Sequence, residues 1–355
     1  MRVYFYHTQD TCRMQREWEE GRLPGHLLYG ATHLHRHGID VILHRHKKGA
    51  GRWRMMWDTA RQIWSQRKNC DAVYATSFRG LEVITFLRAL RLFPKPVIIW
   101  HHQPVVTASN PLRELVARLF YRGFDHLIFF SRELMDVSLR SCKARTERMS
   151  FVPWGADLDF YDRLINQEDI PTREGFISTG KEHRDMPTLI EAFRSVKAQL
   201  NIYVSRNNGG EDYDTIIDRQ TLPPNVHVHF TNGFIPYELS RQVCRAAGVA
   251  ICCKETTYTV GLTTLVEALA LGIPVLCSRN PHFAFDIDRE GVGLSIPYYN
   301  KEAWTEAARR LTEHPEDALR MGKAGRKLAE KTFNLENCAQ EVARILLAFS
   351  PKRNK

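Results

Sequence analysis

Three stretches carry residue types at spacings that suit the chemistry of a phosphorylated ligand. The first is VGLTTLVEALALGIPVLCS, Val260 to Ser278. A glycine turn precedes a helical pattern that ends at Gly272, and Pro274 opens a strand. A helix N-terminus presents free N–H groups and the positive end of its dipole, so a diphosphate sits well there. Gly261 allows close backbone approach, Thr263 and Thr264 suit capping, and Glu267, one turn in, suits accepting from ribose hydroxyls. The same residues also fit a plain capped helix, packed by its Leu/Val/Ala stripe, with Glu267 solvated. The second stretch is STGKEHRDMPTLIEAF, Ser178 to Phe193. A strand runs into Gly180, then a loop carrying Lys181 and Arg184, then a helix near Pro187. Two cations beside a helix start suit a diphosphate, and an exposed polar loop is the alternative. The third is the pair His101–His102, directly after the apolar run PVIIW. The carboxyl end of a buried strand is where open α/β sheets bind ligands, although a hydrogen-bonded core histidine fits the same place.

The elements that must position these residues are legible as two β-α series. Strands are expected at Val3–His7, Val41–His44, Ala72–Thr76, Val97–Trp100, Leu127–Phe130 and Phe151–Pro153, and then at Gly175–Thr179, Ile202–Ser205, Val226–Phe230, Val249–Cys252 and Val275–Ser278. They read as continuous apolar runs, the pattern of parallel strands covered on both faces. Helices are expected between them, including Gly25–His37, Met56–Ser65, Leu112–Tyr121, Thr188–Ala198, Pro236–Ala246 and Thr263–Leu271. Three more close the chain at Glu302–His314, Asp317–Lys331 and Leu335–Phe349. The polar stretch Asp157–Gly175 separates the two series. The expected architecture is α/β: two doubly wound, Rossmann-like parallel-sheet domains facing a cleft, 1–160 (completed by a C-terminal helix at 335–355) and 161–334. The 355-residue length suits two domains.

Charge is uneven. Residues 1–150 hold 25 Lys+Arg against 13 Asp+Glu, net +12, whereas 151–355 hold 25 against 27, net −2. The basic half predicts an anionic partner: a bilayer, a phosphorylated acceptor or nucleic acid. Within it, Trp53, Met56, Trp57, Ala60, Ile63 and Trp64 recur on one helical face, with Arg54, Arg61, Arg67 and Lys68 elsewhere around it. That pattern fits a helix packed on the sheet or an interfacial segment. NPLRELVARLFYRGF has a similar basic-amphipathic look. A hydrophobic fraction of 43% excludes a disordered or fibrous chain. None of the eight cysteines forms a CxxC pair, which fits reduced thiols and not a disulfide frame or a zinc site. The first residues lack the apolar core of a secretory signal, and no apolar run is long enough to span a bilayer. DLD at 157–159 and DID at 286–288 fall outside the candidate site and read as structural, so no metal is expected.

These stretches together resemble a GT-B glycosyltransferase of the retaining family 4 type, within the glycosyl transferases group 1. LPGHLLYGATHLHRHGIDV resembles the family's opening glycine loop, with Pro24–Gly25 where two glycines are usual. FVPWGADLDFY resembles the segment closing the first domain, with Trp154 in place of Asn. TNGFIPYELSRQVCRAAGVAICCKE and EALALGIPVLCS resemble the family's later motifs, in the family's order. The resemblance implies that Lys181 and Arg184 meet the donor diphosphate, with Gly180 beside them, and that Glu267 holds the ribose. It also implies that Gly261, Leu262 and Thr263 face phosphate or sugar and that Phe234 and Ile235 lie near the base. His102 (or, one residue earlier, His101) falls on the histidine beside the transferred sugar, and Gly25 and His26 on the acceptor loop. One departure stands out. Eight positions before Glu267, where the family carries a Glu on the donor sugar, this chain has Thr259. Glu255 lies four residues earlier still, and Lys254 replaces a usual Ser. These three are the candidate donor-sugar contacts.

The implied function is transfer of a sugar from a nucleotide-diphosphate donor, with retention and without a metal or other cofactor. The implied acceptor is a glycan or lipid-linked molecule in surface polysaccharide or glycolipid synthesis. The implied location is cytoplasmic, at an anionic inner membrane face. Alternatives are a nucleotide-sugar epimerase or hydrolase of the same fold, and a nucleic-acid-associated or non-catalytic protein.

Overall fold

The computed structural model describes residues 1–46, 51–168, 172–180, 182–208, 211–233 and 235–350. Two compact units divide them: Met1–Trp154 with the chain from Leu335 onward, and Gly155–Asn334.

The first unit is built on strands β1 (Arg2–Tyr6), β2 (Asp40–Leu43), β3 (Ala72–Ala75), β4 (Val97–His101), β5 (His126–Phe129) and β6 (Met149–Phe151). They form one all-parallel sheet in the order β2-β1-β3-β4-β5-β6. β3, β4 and β5 are buried along their whole length, as continuous apolar runs require. The helix Leu335–Leu347 buries Cys338, Ala339, Val342, Ala343 and Leu346 in this unit.

In the second unit β7 (Phe176–Thr179) and β8 (Leu200–Ser205) are followed by a short hairpin, β9 (Asn207–Asn208) with β10 (Glu211–Asp212). β11 (Val226–Thr231), β12 (Gly248–Ile251), β13 (Val275–Ser278) and β14 (Gly293–Ile296) complete a second parallel sheet, ordered β11-β8-β7-β12-β13-β14. In each sheet the strand order reverses once, beside β1 in the first and between β7 and β12 in the second. Doubly wound sheets bind ligands at such points.

The structure departs from the sequence expectations in four places. Residues 25–37 are not one helix but two 3-10 turns, Gly25–Leu28 and Leu34–His37. Between them Tyr29 takes φ +53° and Gly30 φ +83°, which ends the helical winding. The polar stretch after Asp157 is not a linker: Leu158–Gln167 is a helix burying Phe160, Tyr161 and Leu164, capped by Asp157, whose side chain accepts from the Phe160 N–H at 3.1 Å. The change of unit therefore falls at Trp154/Gly155, upstream of residue 160. β14 extends the second sheet where no strand was expected.

The second unit is closed where its chain enters and leaves. The Ala156 N–H donates to the Phe333 carbonyl at 2.9 Å, and Ala156 bridges Asn334 in parallel register. Gly155 lies against this seam, and a Cβ there would overlap the Phe333 carbonyl group. Gly155→Ala is expected to cost ~1–3 kcal/mol, the overpacking range. Chemical denaturation compared with wild type measures it, and an unchanged midpoint contradicts the steric argument.

Candidate active site

Arg184 stands at the reversal point of the second sheet. The chain leaves β7 through Gly180 and crosses to the end of β12, where Arg184 and Cys253 form an antiparallel bridge. Two flanking hydrogen bonds fix the crossing: the Asp185 N–H donates to the Cys252 carbonyl at 3.1 Å, and the Lys254 N–H donates to the His183 carbonyl at 2.8 Å. The Arg184 side chain is 3% exposed. Its guanidinium donates from Nε and Nη2 to the Thr179 carbonyl at 3.2 and 3.1 Å, and from Nη1 to the Glu182 carbonyl at 3.3 Å and the Cys253 sulfur at 3.0 Å. No carboxylate pairs with it among the described residues. These bonds engage four of the five guanidinium N–H donors. Gly180, at φ +131°, leaves the Nη2 side open, since any Cβ there would collide with the guanidinium. Buried charges are normally paired, so an unpaired guanidinium at a ligand-binding address marks an anion site.

The helix Leu262–Leu271 begins beside it. Its N-cap is Gly261, at φ +89°, and no side chain caps the first turn. Thr263 and Thr264 therefore do not act as caps. The helix starts at Leu262, so both lie inside its first turn, with Thr263 exposed and Thr264 Oγ1 3.4 Å from Thr179 Oγ1. A Cβ at Gly261 would come within 2.5 Å of Ile251. An uncapped N-terminus and a cation thus share one corner of the unit, both favouring negative charge.

Glu267 is not solvated. It is 8% exposed, and its Oε1 accepts from the Ser240 hydroxyl and, at 3.4 Å, from the Tyr161 hydroxyl. Burial pushes its carboxyl up to about 7, against the lowering effect of those two hydrogen bonds. Every residue from Thr264 to Leu271 is buried, so the helix packs on all sides and not by one stripe.

Lys254 forms an ion pair with Glu211 Oε1. Glu211 Oε2 accepts from the Tyr213 hydroxyl at 2.6 Å, and that hydroxyl oxygen accepts from the Arg184 N–H at 3.0 Å. Glu255 is exposed, its N–H donating to the Tyr299 hydroxyl at 3.1 Å, and Thr259 is half-buried. Ile235 is the half-buried N-cap of the helix Pro236–Cys244. Lys181 and Phe234 lie outside the described residues. No cluster of three or more metal-ligating side chains occurs among the described residues.

Residues 173–328 match the glycosyl transferases group 1 family. The chain has the GT-B fold, and the family match falls within its second unit. Solved structures with this fold include a glycosyltransferase from Rickettsia africae (13% identity, covering 100% of this chain and 99% of that one, TM-score 0.68). Anabaena HepE, solved with UDP, covers 98% of this chain and 100% of its own at 14% identity and TM-score 0.67. Sucrose-phosphate synthase from Thermosynechococcus elongatus covers 98% of each chain at 14% identity and TM-score 0.71. No curated protein matches.

In the first unit the two histidines separate. His101, in β4, is buried: one ring nitrogen meets the Gln103 carbonyl and the other the Tyr121 hydroxyl at 2.8 Å. Burial lowers its pKa to about 4. It is a core histidine. His102 is exposed, and its Nε2–H donates to the Thr76 carbonyl at 2.8 Å. That bond places the proton on Nε2 of the neutral ring and leaves Nδ1 as an acceptor. Gly25 and His26 are buried in the first 3-10 turn. The His26 ring lies edge-on to Trp154 at 5.1 Å, and its carbonyl accepts from the Trp154 indole.

Sequence reasoning missed Tyr213, Ser240 and Tyr161. Tyr213 reaches Arg184 only because the β9–β10 hairpin turns the chain back, and its spacing carries no signal. Tyr161 stood in a quoted motif, and its place four residues after the Asp157 cap was the available cue.

The raised Glu267 carboxyl fixes a pH dependence. Its ordinary pKa of 4.5 becomes about 7 on folding, so folding takes up a proton between those values. Stability is greater below pH 4.5 and falls as pH rises to 7. Glu267→Gln should abolish that fall, a difference of roughly 3 kcal/mol at neutral pH. Denaturant titrations of both proteins across this range measure it. Parallel curves contradict the burial argument.

Proposed function

We propose that the protein is a glycosyltransferase that moves a sugar from a nucleoside-diphosphate donor bound in the second unit. The observation that carries this is the buried Arg184 guanidinium, unpaired by any carboxylate among the described residues, beside the uncapped Leu262–Leu271 helix. A diphosphate completes both. Lys181 adds a second cation on the same loop, Glu267 accepts from the ribose hydroxyls, and Ile235 and Phe234 flank the base. When the sugar–phosphate bond breaks, charge develops on the departing diphosphate. A guanidinium and helix amides already aimed there stabilise it without reorganising. The leaving group is thus served by the protein's own charges, with no cofactor in the proposal. HepE solved with UDP-glucose and the Escherichia coli trehalose-6-phosphate protein solved with UDP-2-fluoro glucose make uridine donors the first to test.

The first unit is proposed to receive a glycan or lipid-linked acceptor. His102, with Nδ1 available as an acceptor, is the residue of this unit that the family resemblance assigns to the sugar. Retention of the anomeric configuration is part of the proposal and rests on the family resemblance of Val260–Ser278. With Thr259 in place of a carboxylate and Lys254 already paired with Glu211, the donor sugar meets a less acidic pocket than the family pattern supplies.

Thermal denaturation with UDP, GDP, ADP and their sugar conjugates tests the donor site. A ligand at 100 times its Kd adds ~2.7 kcal/mol. One of the diphosphates should raise the Tm. Arg184→Ala should weaken that ligand about tenfold or more, the worth of a charged hydrogen bond, with Arg184→Lys in between. Circular dichroism confirms that each variant folds. Absence of any nucleotide effect on the wild type, or wild-type affinity in a folded Arg184→Ala, overturns the assignment.

A further inference from the structure

The first unit turns an apolar face outward. The connections β2→β3, β3→β4 and β4→β5 all advance the same way across the sheet. Right-handed crossovers therefore place the helices Arg52–Gln66, Glu82–Ala89 and Pro111–Tyr121 on one face. The middle helix packs against both others, through the Arg52–Glu82 ion pair at 3.2 Å on one side and the Phe86–Phe120 rings at 5.4 Å on the other.

Large apolar side chains lie exposed along this row. Trp53 is 76% exposed and Trp57 62%, with Trp64 beyond them on the same stripe. The helix buries Thr59, Ala60 and Ile63, so of the expected face Ala60 and Ile63 pack inward while the tryptophans stay exposed. In Pro111–Tyr121 no residue is buried at all. Leu112, 70% exposed, and Leu115, 65% exposed, share an outward stripe with Val116. Between this helix and its neighbour runs a groove of about 390 Å³, lined by Phe86, Leu112, Val116, Ala117 and Phe120 with Arg113 at its side. Isolated exposed apolar residues are ordinary, but two such stripes, on the helices that flank Glu82–Ala89, mark a contact surface.

Charge selects the occupant. From Arg52 to Arg122 no carboxylate residue is exposed: Asp58, Asp71, Glu82 and Glu114 are all half-buried. Glu114 is held by Lys143 at 2.6 Å and Arg118 at 3.0 Å. Over the same span Arg52, Arg54, Arg61, Arg91, Arg113 and Arg118 are exposed. Beside the tryptophan stripe, Arg45, His46 and Arg61 line a second pocket of about 330 Å³ with Asp58, Gln62 and Ser65. Tryptophan and leucine outward, arginine around them and no exposed acid is the composition of a surface that lies in a lipid interface.

We propose that this helical face docks on an anionic lipid bilayer. Trp53, Trp57, Leu112 and Leu115 enter the boundary between headgroups and acyl chains, and the surrounding arginines meet lipid phosphates. No helix among the described residues is long and apolar enough to cross a membrane, so the contact is peripheral. This inference does not depend on the donor reading.

Cosedimentation of the full chain with vesicles tests it, comparing equal parts phosphatidylglycerol and phosphatidylcholine with phosphatidylcholine alone. Binding to the anionic vesicles only is expected, with a blue shift of tryptophan emission and release as salt shortens the Debye length. Trp53→Ser with Trp57→Ser should abolish most of the shift. Leu112→Ser with Leu115→Ser, and Arg54→Glu with Arg61→Glu and Arg113→Glu, should each weaken binding about tenfold or more. All these residues are exposed, so the nucleotide-induced Tm shift of each variant should match wild type, which separates this proposal from the donor assignment. No binding to anionic vesicles, equal binding to neutral ones, or binding with unmoved tryptophan emission overturns it. So does sedimentation showing that the face is covered in a dimer which vesicles leave intact.

Discussion

A guanidinium removed from water and given only carbonyls and a thiol for company is costly to keep, and the second unit is arranged around keeping one. Carbonyl oxygens and the Cys253 sulfur satisfy the geometry of Arg184 without cancelling its charge. The absence of a side chain at Gly180 and the bridge to Cys253 go with where that group sits, whereas Gly261 is held bare by Ile251. The Glu211 carboxylate, which shares the Tyr213 hydroxyl with the Arg184 N–H, is engaged by Lys254 and Tyr213. The positive charge therefore persists in a low-dielectric place, where an incoming anion meets a field that water would otherwise have dissipated.

Glu267 shows the complementary economy. Its carboxyl is buried with two hydroxyl donors on one oxygen, and burial outweighs both. A charged and a proton-hungry group are thus held in the same unit by unrelated means, one through backbone carbonyls and the other through desolvation. Neither is a product of local helix or strand preference, which is why both persist only with the rest of the unit folded around them.

Much of this was legible beforehand. All but one of the strands in the two large sheets were expected, the central ones because a parallel strand covered on both faces is apolar along its length, as VIIWH and HLIF are. The Gly261 turn and the placement of Arg184 at a strand end follow from the same pattern. What escaped was information carried by distant contacts. The 25–37 segment has helical composition, but its winding is broken where Gly30 comes up against Ala339, 3.1 Å from where a Cβ would be. Threonines after a glycine look like caps until the helix start is known to lie one residue earlier. The spacing from Pro96 favoured His102 with His101 as the alternative; the Tyr121 hydroxyl on His101 and the Thr76 carbonyl on His102 show which is core and which is surface. The helix Leu158–Gln167 was hidden by its polar exposed side, although Asp157 and the Phe160, Tyr161, Leu164 pattern were present.

The helix Leu335–Leu347 has a consequence for synthesis. It belongs to the unit that begins at Met1, yet it leaves the ribosome after the whole of Gly155–Asn334. Until then the hollow that receives Ala339 and Val342 stays open, and Arg36 lacks Glu336, its partner at 2.5 Å. At ~5–20 residues per second, that leaves the first-made unit incomplete for tens of seconds. The second unit, contiguous in sequence, has all its strands sooner after its own start. The order of completion is therefore the reverse of the order of synthesis. The basic, aromatic half of the chain passes that interval as a partly open sheet, with its apolar surface in need of shelter.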